Sequence, residues 1–170
     1  ATIEHAIEEG RTIYDNLRKT ILFLLPTNGA EGLVIVTAVA LGMVLPLTPV
    51  QILWVNTVTA VTLDLTLAFE PSAPAVMRRP PRDPAAPILA GVFLWRIALV
   101  SVLVGGATLA VFLLGQRLGL SLESARTLAV NTLVAGELFY LFNTRFLHDS
   151  SLRVAALRGN RVVWMSVTAL

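Results

Sequence analysis

The chain has 170 residues, of which 55% are hydrophobic and 14% charged, with a mean hydropathy of +0.74. Soluble domains usually carry about 25% charged residues, so too few polar side chains remain to coat a water-facing surface, and a soluble globular enzyme or a disordered chain is excluded. The formal net charge is +2, from 13 basic and 11 acidic residues, so the pI near 9.7 reflects arginine rather than a basic patch and argues against a nucleic-acid partner; cysteine is absent, which removes disulfides and thiolate metal sites.

Residues 1–20 are polar and helix-compatible, without the apolar core and cleavage site of a signal peptide. The first apolar run covers 21–45 and is interrupted by Pro26, Asn28, Gly29 and Glu31. A short turn bounded by Pro46 and Pro49 leads to a second run, 50–69, which carries Asn56 and Asp64. The connector 70–87, EPSAPAVMRRPPRDPAAP, holds prolines that cannot sit in a continuous helix. A third run spans 88–114 with Arg96 inside it, and a fourth spans 125–142 with Asn131 and Glu137. Residues 143–161 are polar and basic, and a last apolar run, 162–170, covers less than half a crossing. A membrane crossing needs about 20 mostly apolar residues. The expectation is an all-α, polytopic membrane helix bundle of four full spans plus a truncated fifth, set in the lipid bilayer of the cell membrane.

Arginine and lysine set the expected orientation. Segments 1–20, 70–87 and 143–161 hold three, three and four of them, whereas 46–49 holds none and 115–127 two. The N-terminus is therefore expected in the cytoplasm.

Ionisable groups at membrane depth are costly and usually face a bundle interior, where they mark ion or proton paths. Asn28 and Glu31, three residues apart, share a helix face. Pro26 removes a backbone hydrogen bond nearby, and a loosened turn there could offer carbonyl oxygens as ligands. The competing reading is a polar contact between helices through small residues. Asn56 and Thr59 are again three apart; in an unbroken α-helix Asp64 lies about 12 Å along the axis from Asn56 and about 80° round it. Glu137 could bind a cation, pair with Arg96 or carry a proton, and Arg96 could instead snorkel to the interface. Oxygen-only ligands suit hard cations such as Ca²⁺, Na⁺, K⁺ or Mg²⁺. His5 and His148 both lie outside the runs, which disfavours an imidazole metal site, while Trp54, Trp95 and Trp164 read as interfacial anchors.

At these residues the chain resembles the C-terminal membrane region of a type II cation-transporting P-type ATPase, the bacterial counterpart of the calcium-pump and sodium-pump class. EEGRTIYDNLRK resembles the stalk entering the fifth membrane helix, and TNGAEG supplies that helix's Asn-x-x-Glu. PLTPVQILWVNTVTAVTLDLTLAFEP resembles the sixth helix with its preceding turn, AVMRRPPRDP the cytoplasmic loop after it, and ARTLAVNTLVAGELF the eighth helix. The resemblance runs nearly end to end and rests on the order and spacing of motifs that are individually weak.

It implies a cytoplasmic stalk over 1–20, a transmembrane domain over 21–170, and transported cations held by Asn28, Glu31, Asn56, Thr59 and Glu137, with Glu31 and Glu137 as the charged ligands. One departure matters: calcium and sodium pumps usually carry Asp where this chain has Ala60. Asp64, four residues on, could supply a displaced carboxylate, or the site has one charge fewer. A lost carboxylate weakens the case for two bound Ca²⁺ and leaves one Ca²⁺, a monovalent ion or proton-coupled exchange open; Ca²⁺ is favoured over Na⁺ and K⁺. Arg78, Arg79 and Arg82 lie in a loop that in the family helps couple the phosphorylation domain to the ion site, or they form an ordinary positive-inside connector. The phosphorylated Asp-Lys-Thr-Gly motif is not in the sequence. The implied partners are the phosphorylation, actuator and nucleotide domains and the first four helices, with Mg²⁺ and ATP belonging to the parent protein, so that this chain alone would not hydrolyse ATP. The alternatives are a self-contained secondary cation or proton transporter or channel subunit, and a non-transporting remnant of a pump.

Overall fold

The computed structural model describes residues 2–72, 76–81, 88–89, 91–144 and 168. Expectations that fall on Arg82, His148, Trp164 and the run 162–170, Thr168 apart, lie outside the described residues. Among the described residues every regular element is helical.

Helix α1 runs unbroken over Thr2–Ala40, with Pro26 inside it. Its 39 residues measure about 58 Å at 1.5 Å each, nearly twice the roughly 30 Å of a bilayer core, so part of it stands clear of any membrane it crosses. It stops because Gly42 takes φ +63°, a conformation that costs glycine little. The amide of Met43 then reaches back to the carbonyl of Ala38 at 2.9 Å and that of Gly42 to Val39 at 3.1 Å, which satisfies carbonyls the helix end leaves open. The next helix starts with a capping box: the Thr48 hydroxyl accepts from the Gln51 amide at 3.3 Å, and the Gln51 side-chain oxygen accepts from the Thr48 amide at 2.9 Å. Pro49 occupies the first helical position, where its missing N–H costs nothing.

Helix α2, Pro49–Thr59, widens into a π-helical turn over Ala60–Asp64 and resumes as the short α3, Leu65–Ala68. The stretch around it is crowded with β-branched residues, Val55, Thr57, Val58, Thr59, Val61 and Thr62, which pack poorly in an α-helix. Their hydroxyls bond back to the helix: Thr59 to the Val55 carbonyl at 2.9 Å and Thr62 to the Val58 carbonyl at 2.7 Å. Such back-bonding bends helices and satisfies carbonyls that a wider turn disengages. After a 3₁₀ turn at Val76–Arg78 come α4, Gly91–Arg117, and α5, Leu122–Thr144.

By length and composition α1, the α2–α3 unit and α4 can each cross a membrane. The 23 residues of α5 span about 34 Å, but Arg126, Asn131 and Glu137 keep it below the apolarity of the other three. α1 packs chiefly on α4, and α4 on α5. The α1–α4 crossing is close because Gly105 has no side chain: a Cβ there would meet the Ala30 carbonyl oxygen at 2.9 Å. Small residues at such crossings are how membrane helices gain packing where lipid leaves no hydrophobic driving force.

Two apolar clusters fill the interior. One includes Ala30, Val34, Val55 and Leu133; the other includes Phe23, Leu63, Leu67, Tyr140 and Leu141. Many large apolar side chains face outward, among them Trp54, Trp95, Leu103 and Phe139, an exterior suited to lipid and to other helices.

Candidate functional site

The polar residues at membrane depth lie among the residues of the two clusters. Along α2, Asn56 and Thr59 fall between Val55 and Leu63; along α5, Glu137 falls between Leu133 and Tyr140; on α1, Glu31 sits between Ala30 and Val34. Glu31 is 5% exposed and Glu137 2%.

Glu31 and Asn56 are joined directly. The Asn56 side-chain nitrogen donates to Glu31 Oε2 at 2.8 Å, linking α1 to α2. Glu31 Oε1 is buried with no hydrogen-bond donor, as are Glu137 Oε2 and Asp64 Oδ1. A buried carboxylate oxygen without a partner costs on the order of 1–3 kcal/mol or more, a cost that a bound cation, a proton or a neutral donor would offset. The chemistry of these carboxylates, hard oxygen donors, suits a hard cation. Glu137 lies within electrostatic reach of both Glu31 and Asp64. The three carboxylates do not close round one point: among the described residues no three His, Asp or Glu side chains are grouped to hold a metal ion. Any cation held here needs amide, hydroxyl or carbonyl oxygens as well.

The π turn changes the side of the helix on which Asp64 lies. The 80° offset from Asn56 assumes an unbroken α-helix. A π turn takes one extra residue, which sets later residues back by about 100°, one residue's share of a 3.6-residue turn. Asp64 then falls within about 20° of the Asn56 direction, on the same side of the helix. This register shift lies beyond a reading at constant helical period.

Other expected residues stand apart. Asn28 is exposed, and its side-chain amide bonds the Leu24 carbonyl of its own helix at 3.0 Å. The buried Thr59 hydroxyl donates to the Val55 carbonyl, which leaves its oxygen lone pairs for a ligand. Arg96 does not pair with Glu137; its guanidinium donates to the carbonyl of Asn143 at 3.0 Å and to Asn143 Oδ1 at 2.5 Å, and lies 5.5 Å from the Tyr140 ring centroid.

The loosened turn at Pro26 is not an open set of carbonyls. Tyr140 Oη donates to the Leu22 carbonyl at 2.8 Å and Ser101 Oγ to the Pro26 carbonyl at 3.1 Å, both buried. Tyr140 and Ser101 were not expected from the motifs; the signal was Pro26 itself, which leaves a carbonyl four residues back in need of a donor.

The loop after α3 is strapped to α1. Arg11 donates to the carbonyls of Val76 and Arg79, each at 2.8 Å, and Arg79 pairs with Asp15 at 2.7 Å. Asn16, 5% exposed, donates to the carbonyls of Ala68 and Glu70 at 3.1 and 2.8 Å, and so caps α3. Arg78 is exposed.

The family model described as cation transporting ATPase, C-terminus, matches residues 44–170. A probable cation-transporting ATPase F of Mycobacterium tuberculosis is 47% identical over 169 residues, which cover 99% of this chain and 19% of that protein. A cation-transporting ATPase of Synechocystis sp. is 41% identical over 170 residues, covering 100% of this chain and 19% of that protein. A calcium-transporting ATPase of Bacillus subtilis is 40% identical over 146 residues, 85% of this chain and 16% of that protein. The chain thus spans about a fifth of the length of the curated relatives it matches.

Proposed function

Since this chain belongs to the family of cation-transporting ATPase C-terminal regions, we propose that it is the membrane part of an ATP-driven pump and supplies ligands for the transported cation. Glu31, Asn56, Thr59 and Glu137 form the core of the ligand set. Asp64 takes the place of the carboxylate missing at Ala60, and Asn28 completes the set from the exposed side of α1, where further helices of the pump would pack. The observation that carries this reading is the Glu31–Asn56 bond with Glu31 Oε1 and Glu137 Oε2 buried beside it without donors. Asn56 spends its nitrogen on Glu31, so its amide oxygen is the atom a cation would use.

Ca²⁺ is the favoured substrate over Na⁺ and K⁺, because a carboxylate-rich oxygen set suits a divalent ion; the name of the Bacillus subtilis relative agrees. In the parent protein Mg²⁺ and ATP would serve the phosphorylation and nucleotide domains, with the actuator domain and the first four helices completing the pump. The loop bearing Arg78, Arg79 and Arg82 would relay movement of the phosphorylation domain to α1 and α3, supported by the bonds from Arg11 and Asn16. The N-terminus lies in the cytoplasm, as the arginine distribution favours.

Glu31→Gln and Glu137→Gln in the intact pump test this. Each removes a charge and keeps the shape. The half-saturating Ca²⁺ concentration for phosphorylation from ATP should rise by about 10- to 100-fold, the worth of one contact to a charged group. Unchanged cation dependence in both variants would overturn the assignment.

A further inference from the structure

Pro26 has no N–H, so the carbonyl of Leu22, four residues earlier in α1, has no donor in its own helix. That carbonyl is fully buried, where a missing hydrogen bond is expensive. The donor comes from another helix: Tyr140 of α5 gives its hydroxyl proton to the Leu22 oxygen at 2.8 Å. The Tyr140 ring stacks on Phe23, next to Leu22, with centroids 6.1 Å apart and planes 15° from parallel. Ring and hydroxyl therefore grip the same turn of α1, and Ser101 holds the Pro26 carbonyl of that turn from α4.

Tyr140 lies three residues after Glu137, about one turn away on the same face of α5. A hydrogen bond is satisfied at one height only, whereas apolar contacts tolerate sliding by a fraction of a turn. The Tyr140–Leu22 bond thus fixes, at this turn, how far along α1 the α5 carboxylate stands, while Arg126 near the start of α5 holds the Leu45 carbonyl beyond the end of α1 at 3.1 Å. We propose that Tyr140 is a positioning residue of the cation site: its hydroxyl stands in for the N–H that Pro26 lacks, and this cross-helix bond sets the height of Glu137 against Glu31. The proposal rests on the reading of Glu31 and Glu137 as cation ligands.

A double-mutant cycle in the intact pump tests it, with Ca²⁺ as the probe. Tyr140→Phe keeps the ring and removes the donor. Pro26→Ala gives α1 its own N–H for the Leu22 carbonyl, which makes the Tyr140 hydroxyl redundant. Tyr140→Phe should raise the half-saturating Ca²⁺ concentration for phosphorylation by about five- to tenfold, with the phosphoenzyme level at saturating Ca²⁺ retained. In the Pro26→Ala background the same change should shift it by less than about twofold. A structural role alone would lower the saturating phosphoenzyme level and leave the half-saturation point in place, and that outcome overturns the proposal, as does an equal shift in both backgrounds. If Pro26→Ala fails to assemble, the split between half-saturation and saturating level in Tyr140→Phe alone decides. If Glu31→Gln and Glu137→Gln leave the calcium dependence intact, both the site and the proposal fall; if they abolish it while the cycle is additive, the proposal alone falls.

Discussion

Asn56 and Glu31 show how a charged side chain is tolerated at membrane depth without being used up. The amide nitrogen covers one carboxylate oxygen at 2.8 Å, while the other stays buried and undonated. A full set of donors would make Glu31 a structural fixture; half a set leaves it oriented, with one oxygen free to take a ligand. Asp64 is in a similar state, with one buried oxygen unpaired, at a position offset from the carboxylate usual in calcium and sodium pumps. If Asp64 replaces that group, Asp64→Ala should weaken cation-dependent phosphorylation about tenfold. Ala60→Asp added to Asp64→Ala should recover part of the loss. An Asp64→Ala pump with unaltered half-saturation would remove Asp64 from the site. Asn56 and Glu31 were readable as candidates because amides and carboxylates are rare in apolar runs. Their pairing was not, since it depends on how α1 and α2 pack across a separation of 25 residues.

The elements divide into those announced by local chemistry and those decided by packing. The apolar runs mark the helices, since each is too long and too apolar to be anything else in lipid. Pro49 and the Thr48–Gln51 box mark the start of α2, and Gly42 marks the end of α1. The π turn has no such marker: a count at 3.6 residues per turn passes over Ala60–Asp64 and points Asp64 to the wrong side. Pro26 likewise suggests a break, yet α1 stays helical, with hydroxyls from α4 and α5 bonding its buried carbonyls at this turn. The α1–α4 crossing yields a direct prediction. Gly105→Val would drive a side chain into the Ala30 backbone, 2.9 Å from where its Cβ must sit. The helices must part, at a cost of about 1–3 kcal/mol, and the intact pump should inactivate at a lower temperature in a thermal ramp. An unchanged inactivation temperature would contradict so close a crossing.

At the scale of the whole molecule, the proposed function makes this chain a lever as well as a ligand set. α1 extends well past the membrane, and its polar end is tied by Arg11, Asp15 and Asn16 to the loop and helix end that follow the π turn. Movement applied to that end would reach Glu31 through α1 and Asp64 through α3. The chain spans about a fifth of its relatives, and on the proposed function the remaining domains would supply the force and the remaining ligands. Arg79 belongs to this strap, whereas the loop was legible from composition only as basic and proline-rich: the ion pair with Asp15 joins residues 64 apart. The central claim is that Glu31 and Glu137 hold the transported ion. Equilibrium binding of radioactive calcium to the intact pump, without ATP, tests it most directly. Saturable binding should weaken by about 10- to 100-fold in Glu31→Gln and in Glu137→Gln, whereas wild-type affinity in both variants would contradict the account.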